Sequence, residues 1–316
     1  MPLTKVLIIG AGISGLAAAI ALTKFNNLSV QLFELRPSPQ SIGGAINLTP
    51  AAMRYLDALG VADAVMAHSY ETKAIEIFAL RTGGKLGAID YDDLERFKFR
   101  GRRVRRAALL RALLEAFEGL GGKVQYGRRA VDVDMGGKGA VVKFEDGGSA
   151  QGDVLLGADG IHSWTRTSVV ERERMPVYTG IAGAYGILDG TGLQKQLPAG
   201  TSMFSGRRGS LLMSYSNAER SEVYVAAVME TAEAESREGW KVKNGAKEAL
   251  KADISDRFGG SPEPVIDELL AKVQEWFLYP VFKLPPKGKW FHERCLLIGD
   301  AAHAVSETYM SISQDL

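Results

Sequence analysis

Apolar and polar positions alternate with clear punctuation at the start of the chain. Lys5 to Ile9 is a short β-branched run bounded by Gly10, and Ser14 to Lys24 is an alanine-rich stretch ending near Asn26-Asn27. The pattern predicts a strand, a turn and a helix. Ser29 to Glu34 predicts a second strand, which completes a β-α-β unit of about 30 residues, the length of a right-handed parallel crossover. The apolar stretch Val6 to Leu22 is not read as a leader or membrane segment, because Gly10, Gly12 and Gly15 interrupt it and no cleavage-like site follows.

Further along, Ala51 to Leu59 predicts a helix closed by Gly60. Arg106 to Leu120 predicts a longer one, with Leu109, Leu110, Leu113 and Leu114 on one stripe. Lys123 to Tyr126, Ala130 to Asp134 and Ala140 to Phe144 read as short strands between glycine-rich turns, leading to the apolar strand Val154 to Leu156. After Arg174 the texture changes. Gly180 to Leu188, Thr201 to Ser205, Ser210 to Tyr215 and Glu222 to Met229 read as successive strands, with Ser205 to Gly209 as a hairpin turn. A helical region from about Lys247 to Trp276, broken around Gly259 to Pro264, precedes a return connection marked by Pro280, Pro285 and Pro286. The chain then re-enters an apolar strand at Cys295 to Ile298.

These elements predict an α/β fold: a Rossmann-type dinucleotide-binding domain with an inserted α+β substrate domain built on an antiparallel or mixed sheet. The expected division is discontinuous. Residues 1–74, 100–175 and 286–316 form the nucleotide domain, and residues 75–99 and 176–285 the inserted one.

Composition narrows the class. The 316 residues are 46% hydrophobic, enough to bury a substantial core. With 38 basic and 37 acidic residues, the formal charge of +1 supplies no broad field for nucleic acid or for an anionic membrane. Neither nucleic acid nor stable membrane insertion is expected. Cys295 cannot form an intramolecular disulfide and lies in an apolar run, so it reads as a buried strand residue, and a reducing, cytoplasmic setting is expected.

Gly10-Ala11-Gly12-Ile13-Ser14-Gly15 follows the first strand and opens the first helix. In a dinucleotide fingerprint the first glycine permits a tight turn, the second lets backbone approach a pyrophosphate, and the third allows close helix–strand packing. The N–H groups at Ile13 and Ser14 and the helix dipole favour an anion there. Glu34, at the end of the next strand, can accept hydrogen bonds from ribose hydroxyls. A carboxylate at that position disfavours a 2′-phosphate, so the stably held nucleotide is FAD or NAD rather than NADP. Two later motifs, Gly152 to Ser163 and Cys295 to Ala304, each place an aspartate after an apolar strand beside small residues: Asp159 with Gly160, and Gly299 with Asp300.

Together, in this order, the three motifs resemble the class A flavin monooxygenases, the aromatic hydroxylase family that includes salicylate and para-hydroxybenzoate hydroxylases. The resemblance spans the chain, with specific motifs at both ends. It implies that Gly10, Gly12, Ile13, Ser14, Gly15 and Glu34 hold the ADP half of FAD. It also implies that Asp159 and Gly160 serve FAD and NAD(P)H, and that Gly299 and Asp300 contact the ribityl-phosphate part. A family arginine opening the helix before the second motif is matched by Arg106, with Leu109 and Leu113 following it, and its planar fork suits the FAD phosphates. Arg105 is the neighbouring competitor, and Arg102 and Arg103 read as a solvated basic edge.

The chemistry implied by the resemblance is the cofactor's. NADPH or NADH, a transient co-substrate, reduces FAD, and O2 adds to give a C4a-hydroperoxide. Oxygen then passes to a small aromatic or related substrate. No second glycine fingerprint sits in a strand–helix setting, so the nicotinamide has no Rossmann domain of its own. His68, His162, His292 and His303 lack metal-ligand spacing, so no metal is expected, and His162 and His303 read as positioners of cofactor loops. Tyr185, Met203, Met213 and Tyr215 lie on strands expected to face the substrate, although such residues are more often core. Arg207 and Arg208 read as a hairpin tip.

The chain departs from the family after Ala304. A proline followed by a glycine-rich loop is the family pattern, whereas Glu307 and Met310 stand at the proline and first-glycine positions and the sequence stops at Leu316. The departure predicts a loosely held flavin ring, with the ADP half still bound. Two further readings stay open at this point: an FAD-dependent reductase or dehydrogenase that does not activate oxygen, and a truncated flavin-binding protein with impaired activity.

Overall fold

The computed structural model describes residues 3–40, 43–137, 139–234 and 236–304. Among them, a six-stranded sheet runs in the order Phe291–His292, Cys295–Leu297, Val154–Gly157, Lys5–Ile9, Ser29–Phe33, Val124–Gln125. All pairings in it are parallel except that of the Phe291–His292 edge. Its central strands are apolar on both sides because both faces are covered. Val6 and Ile8 pack under the helices Ile13–Asn26 and Arg106–Gly119, with Leu16, Ile20, Leu109 and Leu113. Leu7 and Ile9 point the other way, as the two-residue period of a strand requires. They meet Val142 and Phe144 of a three-stranded antiparallel sheet, Ala130–Asp134, Ala140–Phe144 and Ser149–Gly152.

A seven-stranded sheet runs in the order Phe277–Lys283, Val177–Asp189, Glu222–Glu230, Gly209–Tyr215, Thr201–Gly206, Ala74–Ala79, Lys85–Asp90. Only the pairing of Thr201–Gly206 with Ala74–Ala79 is parallel. Helices Lys247–Phe258 and Pro264–Lys272 bury Ile254, Phe258, Ile266 and Leu269 against one face, where Phe204, Met213 and Trp276 also lie. The opposite face carries Tyr185, Ile187, Leu212, Tyr224 and Ala226 against Ala45. Ala45 belongs to a small sheet of Ala45–Leu48, Gly101–Arg105 and Ser69–Thr72, which links the two larger ones.

The α/β class and the mixed second sheet agree with the sequence reading, and the hairpin at Arg207-Arg208 closes on a Gly206–Gly209 pair. Three local expectations need correction. Phe277–Lys283 is a strand rather than a return connection. Its Pro280 is tolerated because the strand lies at the sheet edge and pairs only with Val177–Asp189. The second helix of the 247–276 region ends at Lys272, leaving Trp276 as a buried core residue beyond it. An additional helix, Arg237–Gly245, starts where the Ser236 hydroxyl accepts the Gly239 N–H at 3.1 Å. Among the described residues no helix is long and apolar enough to cross a membrane.

Candidate functional site

A cleft of about 460 Å³ opens at the carboxyl ends of Lys5–Ile9, Ser29–Phe33 and Val154–Gly157. Ligands of open α/β sheets bind at such ends. Gly10, Gly12, Ile13, Glu34, Arg106, Asp159 and Gly160 all line it. The remaining fingerprint residues, Ser14 and Gly15, follow in the first turn of the helix Ile13–Asn26 and are not part of the cleft's lining.

The three fingerprint glycines answer to different neighbours. A Cβ on Gly10, whose φ is +104°, would sit 2.4 Å from the Ala158 carbonyl oxygen, and one on Gly15 would sit 1.9 Å from that of Gly10. Both glycines are therefore required by the protein's own backbone. A Cβ on Gly12 would meet nothing within 4 Å and would project into the cleft, as would one on Gly160, where φ is +80°. No side chain caps the helix Ile13–Asn26, and its first turn holds no acidic residue, so the N–H end of the helix is left for an anion.

Glu34 is held beside this turn. Its carboxylate accepts the Ala11 N–H at 2.9 Å and the Arg36 N–H at 3.0 Å, one bond per oxygen. Each oxygen keeps acceptor capacity toward the cleft.

The basic run resolves residue by residue. Arg100 pairs with Glu71 and Asp92, Arg102 with Glu71 at 3.0 Å, and Arg105 with Glu222 at 2.8 Å. The solvated-edge reading of Arg102 and Arg103 is corrected: Arg102 is held in an ion pair, and Arg103 is 5% exposed, with its guanidinium carbon 5.9 Å from the Tyr224 ring centre. Arg106 lines the cleft, and among the described residues its guanidinium has no partner; the same holds for Arg36. Two uncompensated guanidinium groups and an uncapped helix end beside an open glycine suit a pyrophosphate flanked by a ribose.

The second motif is held from within. The Asp159 carboxylate accepts from Ser163 Oγ at 2.5 Å and from the N–H and hydroxyl of Thr165 at 2.8 and 3.0 Å, so it fixes the turn rather than facing outward alone. Sequence reasoning passed over two arginines that tie this turn to the third motif. Arg166, fully buried, donates to the carbonyls of Ile161 at 2.6 Å, Ala301 at 3.0 Å and Arg174 at 3.0 Å. Burial pulls its pKa below the usual guanidinium range, and the nearby Asp159 charge partly opposes that. Arg174 donates to the carbonyls of Ala302 and Pro285. Arg166 sits among serines and threonines and Arg174 ends the charged run Glu171-Arg172-Glu173-Arg174, so nothing in the local pattern marks either as buried.

Gly299 and Asp300 lie outside the lining of this cleft. A Cβ on Gly299 would fall 2.3 Å from Ser14 Oγ, so the third motif abuts the fingerprint helix at Ser14. Asp300 is exposed at the start of the short helix Asp300–His303. His162 lines the cleft and meets Phe282 edge-on, whereas His303 packs against Trp290.

A protein-family model described as an FAD binding domain matches residues 3–309. The chain belongs to this family. Its flavoprotein relatives include a salicylate hydroxylase of Pseudomonas putida, 29% identical over 321 residues, covering 94% of this chain and 71% of that protein. An FAD-dependent urate hydroxylase of Klebsiella pneumoniae is 28% identical over 309 residues, covering 96% and 76%. The crystal structure of Klebsiella pneumoniae HpxO complexed with FAD and uric acid superposes with a TM-score of 0.81 at 26% identity, covering 98% of this chain and 75% of that one. The resemblance to class A flavin monooxygenases thus holds along the whole matched length.

Within this FAD-binding family member, Met203 and Met213 are buried core, and Arg208 pairs with Asp256 at the hairpin tip. Tyr185 instead stacks on Phe277 at 5.2 Å and approaches Tyr224 at 6.0 Å on the sheet face toward Ala45, where burial pushes its phenol pKa up. The expected departure at Glu307 and Met310 lies outside the described residues.

Proposed function

We propose that this chain is an NAD(P)H-consuming, FAD-dependent monooxygenase that hydroxylates a small aromatic or related organic substrate. The observation that carries the reading is the cleft where Gly12, Glu34 and an Arg106 with no partner among the described residues converge in a chain of the FAD-binding family. When bound, FAD supplies the route by which electrons from NADPH or NADH reach O2, so that one oxygen atom enters the substrate.

The chain's own residues hold and orient. Gly12, Ile13 and Ser14 present N–H groups to the pyrophosphate, Gly10 and Gly15 let that turn close, and Arg106 neutralises the phosphates. Glu34 accepts from the adenosine ribose. Asp159 fixes the turn whose Gly160 backbone borders the cofactor, and Gly299 and Asp300 flank the ribityl side from their seat on Ser14. The pairing of Ala74–Ala79 and Lys85–Asp90 into the seven-stranded sheet supports assigning residues 75–99 and 176–285 to a substrate domain, with 1–74, 100–175 and 286–316 binding the flavin. The salicylate and urate hydroxylases among its relatives support a small planar aromatic substrate.

The test is to load the purified chain with FAD, remove unbound flavin by gel filtration, and record the visible flavin bands. NADH and NADPH oxidation, O2 uptake and product are then followed with phenolic acids and purines. Retained flavin with substrate-stimulated consumption and a hydroxylated product supports the proposal. Consumption without any hydroxylated product across the panel identifies a reductase, and failure to retain flavin overturns the reading.

A further inference from the structure

Arg128 also lines the cleft, close to Glu34, and has no place in the fingerprint. The segments carrying the two residues are laced together: the Arg128 N–H donates to the Glu34 carbonyl and the Gly127 N–H to the Arg36 carbonyl, both at 2.9 Å. Behind Arg128 stands a column of flat groups. Phe33 and Phe144 have ring centres 4.7 Å apart, and the Arg128 guanidinium carbon lies 4.2 Å from the Phe144 centre. Asp146 engages the edge of the guanidinium, and Nε is buried with no hydrogen-bond partner. The Nη1 end of the fork is thus committed to Asp146, and the buried Nε–H is shut away from a ligand. Phe144 covers one face of the guanidinium, and what Arg128 offers the cleft is the other, a flat surface on which a ring can stack.

We propose that Arg128 is the platform on which the purine of the bound dinucleotide stacks, which makes the Glu34 end of the cleft selective for purine over pyrimidine nucleotides. The proposal rests on the flavin reading of the same cleft and deepens it. The ribose accepted by Glu34 places its base next to Arg128, and Phe144 fixes the guanidinium plane in advance, so little side-chain freedom is lost on stacking. Gly148 guards this arrangement, because a Cβ there would fall 2.6 Å from Arg128 Nη2.

The test uses flavin-free full chain titrated calorimetrically with ADP and UDP, which share ribose and diphosphate, and with FAD by flavin fluorescence. Wild type should bind ADP about tenfold more tightly than UDP. Arg128→Lys keeps the charge but loses the plane, and should bring the two within about twofold by weakening ADP alone. Gly148→Ala keeps the arginine and its Asp146 partner but displaces the guanidinium, and should have the same effect. Urea midpoints identify any variant that has lost its fold, and the other variant then carries the test. Equal weakening of ADP and UDP would assign Arg128 to phosphate and overturn the proposal. So would an unchanged preference in folded variants, or wild type that retains FAD yet does not distinguish the bases. Wild type that binds neither FAD nor ADP overturns the flavin reading itself.

Discussion

Arg166 Nη1 donates to the carbonyl oxygen of Ala301 at 3.0 Å across 135 positions of sequence. With its bonds to Ile161 and Arg174, this fully buried guanidinium joins the turn after Val154–Gly157 to the segment after Cys295–Leu297. Two effects oppose each other there. Removing a buried charge is favourable, but it orphans three carbonyls at about 1–3 kcal/mol each.

The carbonyls should dominate. Arg166→Met is expected to lower apoprotein stability by about 3 kcal/mol in urea unfolding, with Arg166→Lys recovering only part of that loss. A methionine variant as stable as wild type would show that the desolvation cost of the guanidinium cancels its bonds.

The glycines separate folding from binding. Gly15→Ala drives a Cβ to 1.9 Å from the Gly10 carbonyl oxygen and should cost about 3 kcal/mol in the absence of ligand, far more than the roughly 1 kcal/mol of helix propensity gained. Gly12→Ala meets nothing in the protein and has a φ of −76°, so its unliganded stability should stay within about 0.5 kcal/mol of wild type. Its FAD affinity, measured by flavin fluorescence, should nevertheless fall about tenfold.

Neighbouring arginines should behave oppositely. Arg106→Gln removes a guanidinium that has no partner among the described residues and should weaken FAD binding by roughly 10- to 100-fold with little change in stability. Arg105→Gln breaks a half-exposed ion pair with Glu222 and should change FAD affinity less than about twofold. Equilibrium titration of the two variants decides between them.

Burial pushes the Cys295 thiol from its ordinary 9.0 up to about 12. Between those values the unfolded chain has released a proton that the folded chain retains, so stability falls as pH rises through that window and is unaffected by this group below it. Tyr178, raised from 10.0 to about 12, adds a loss of the same sign. Cys295→Ser should flatten the alkaline decline seen in urea midpoints between about pH 9 and 12. In the native wild-type protein a thiol reagent at pH 8 should find no reactive sulfur until denaturant is added.

What the sequence disclosed follows the range of the forces involved. The turn at Gly10 and the Glu34 position are set by neighbours within one β-α-β unit, the helix beginning at Arg106 shows itself by its own leucine stripe, and local spacing encodes all three. The partners of Arg166 and Arg174 are main-chain carbonyls, which every residue possesses, so no residue type marks them. Arg103 looked like surface because its neighbours Arg102 and Arg105 are charged, yet strand alternation turns it toward Tyr224. Pro280 looked like a breaker because being an edge strand is a property of the whole sheet. Arg128 went unnoticed because its stacking partner, Phe144, reaches it only through the pairing of Ala130–Asp134 with Ala140–Phe144.

The position of Cys295–Leu297 beside Val154–Gly157 also sets the order of events during synthesis. The fingerprint half leaves the ribosome first, yet its sheet lacks two strands, Phe291–His292 and Cys295–Leu297, and Arg166 lacks its Ala301 acceptor, until nearly the last described residue has emerged. The seven-stranded sheet draws all its strands from residues 74–283 and is complete earlier. The nucleotide-binding half, although first to be translated, is therefore the last to mature.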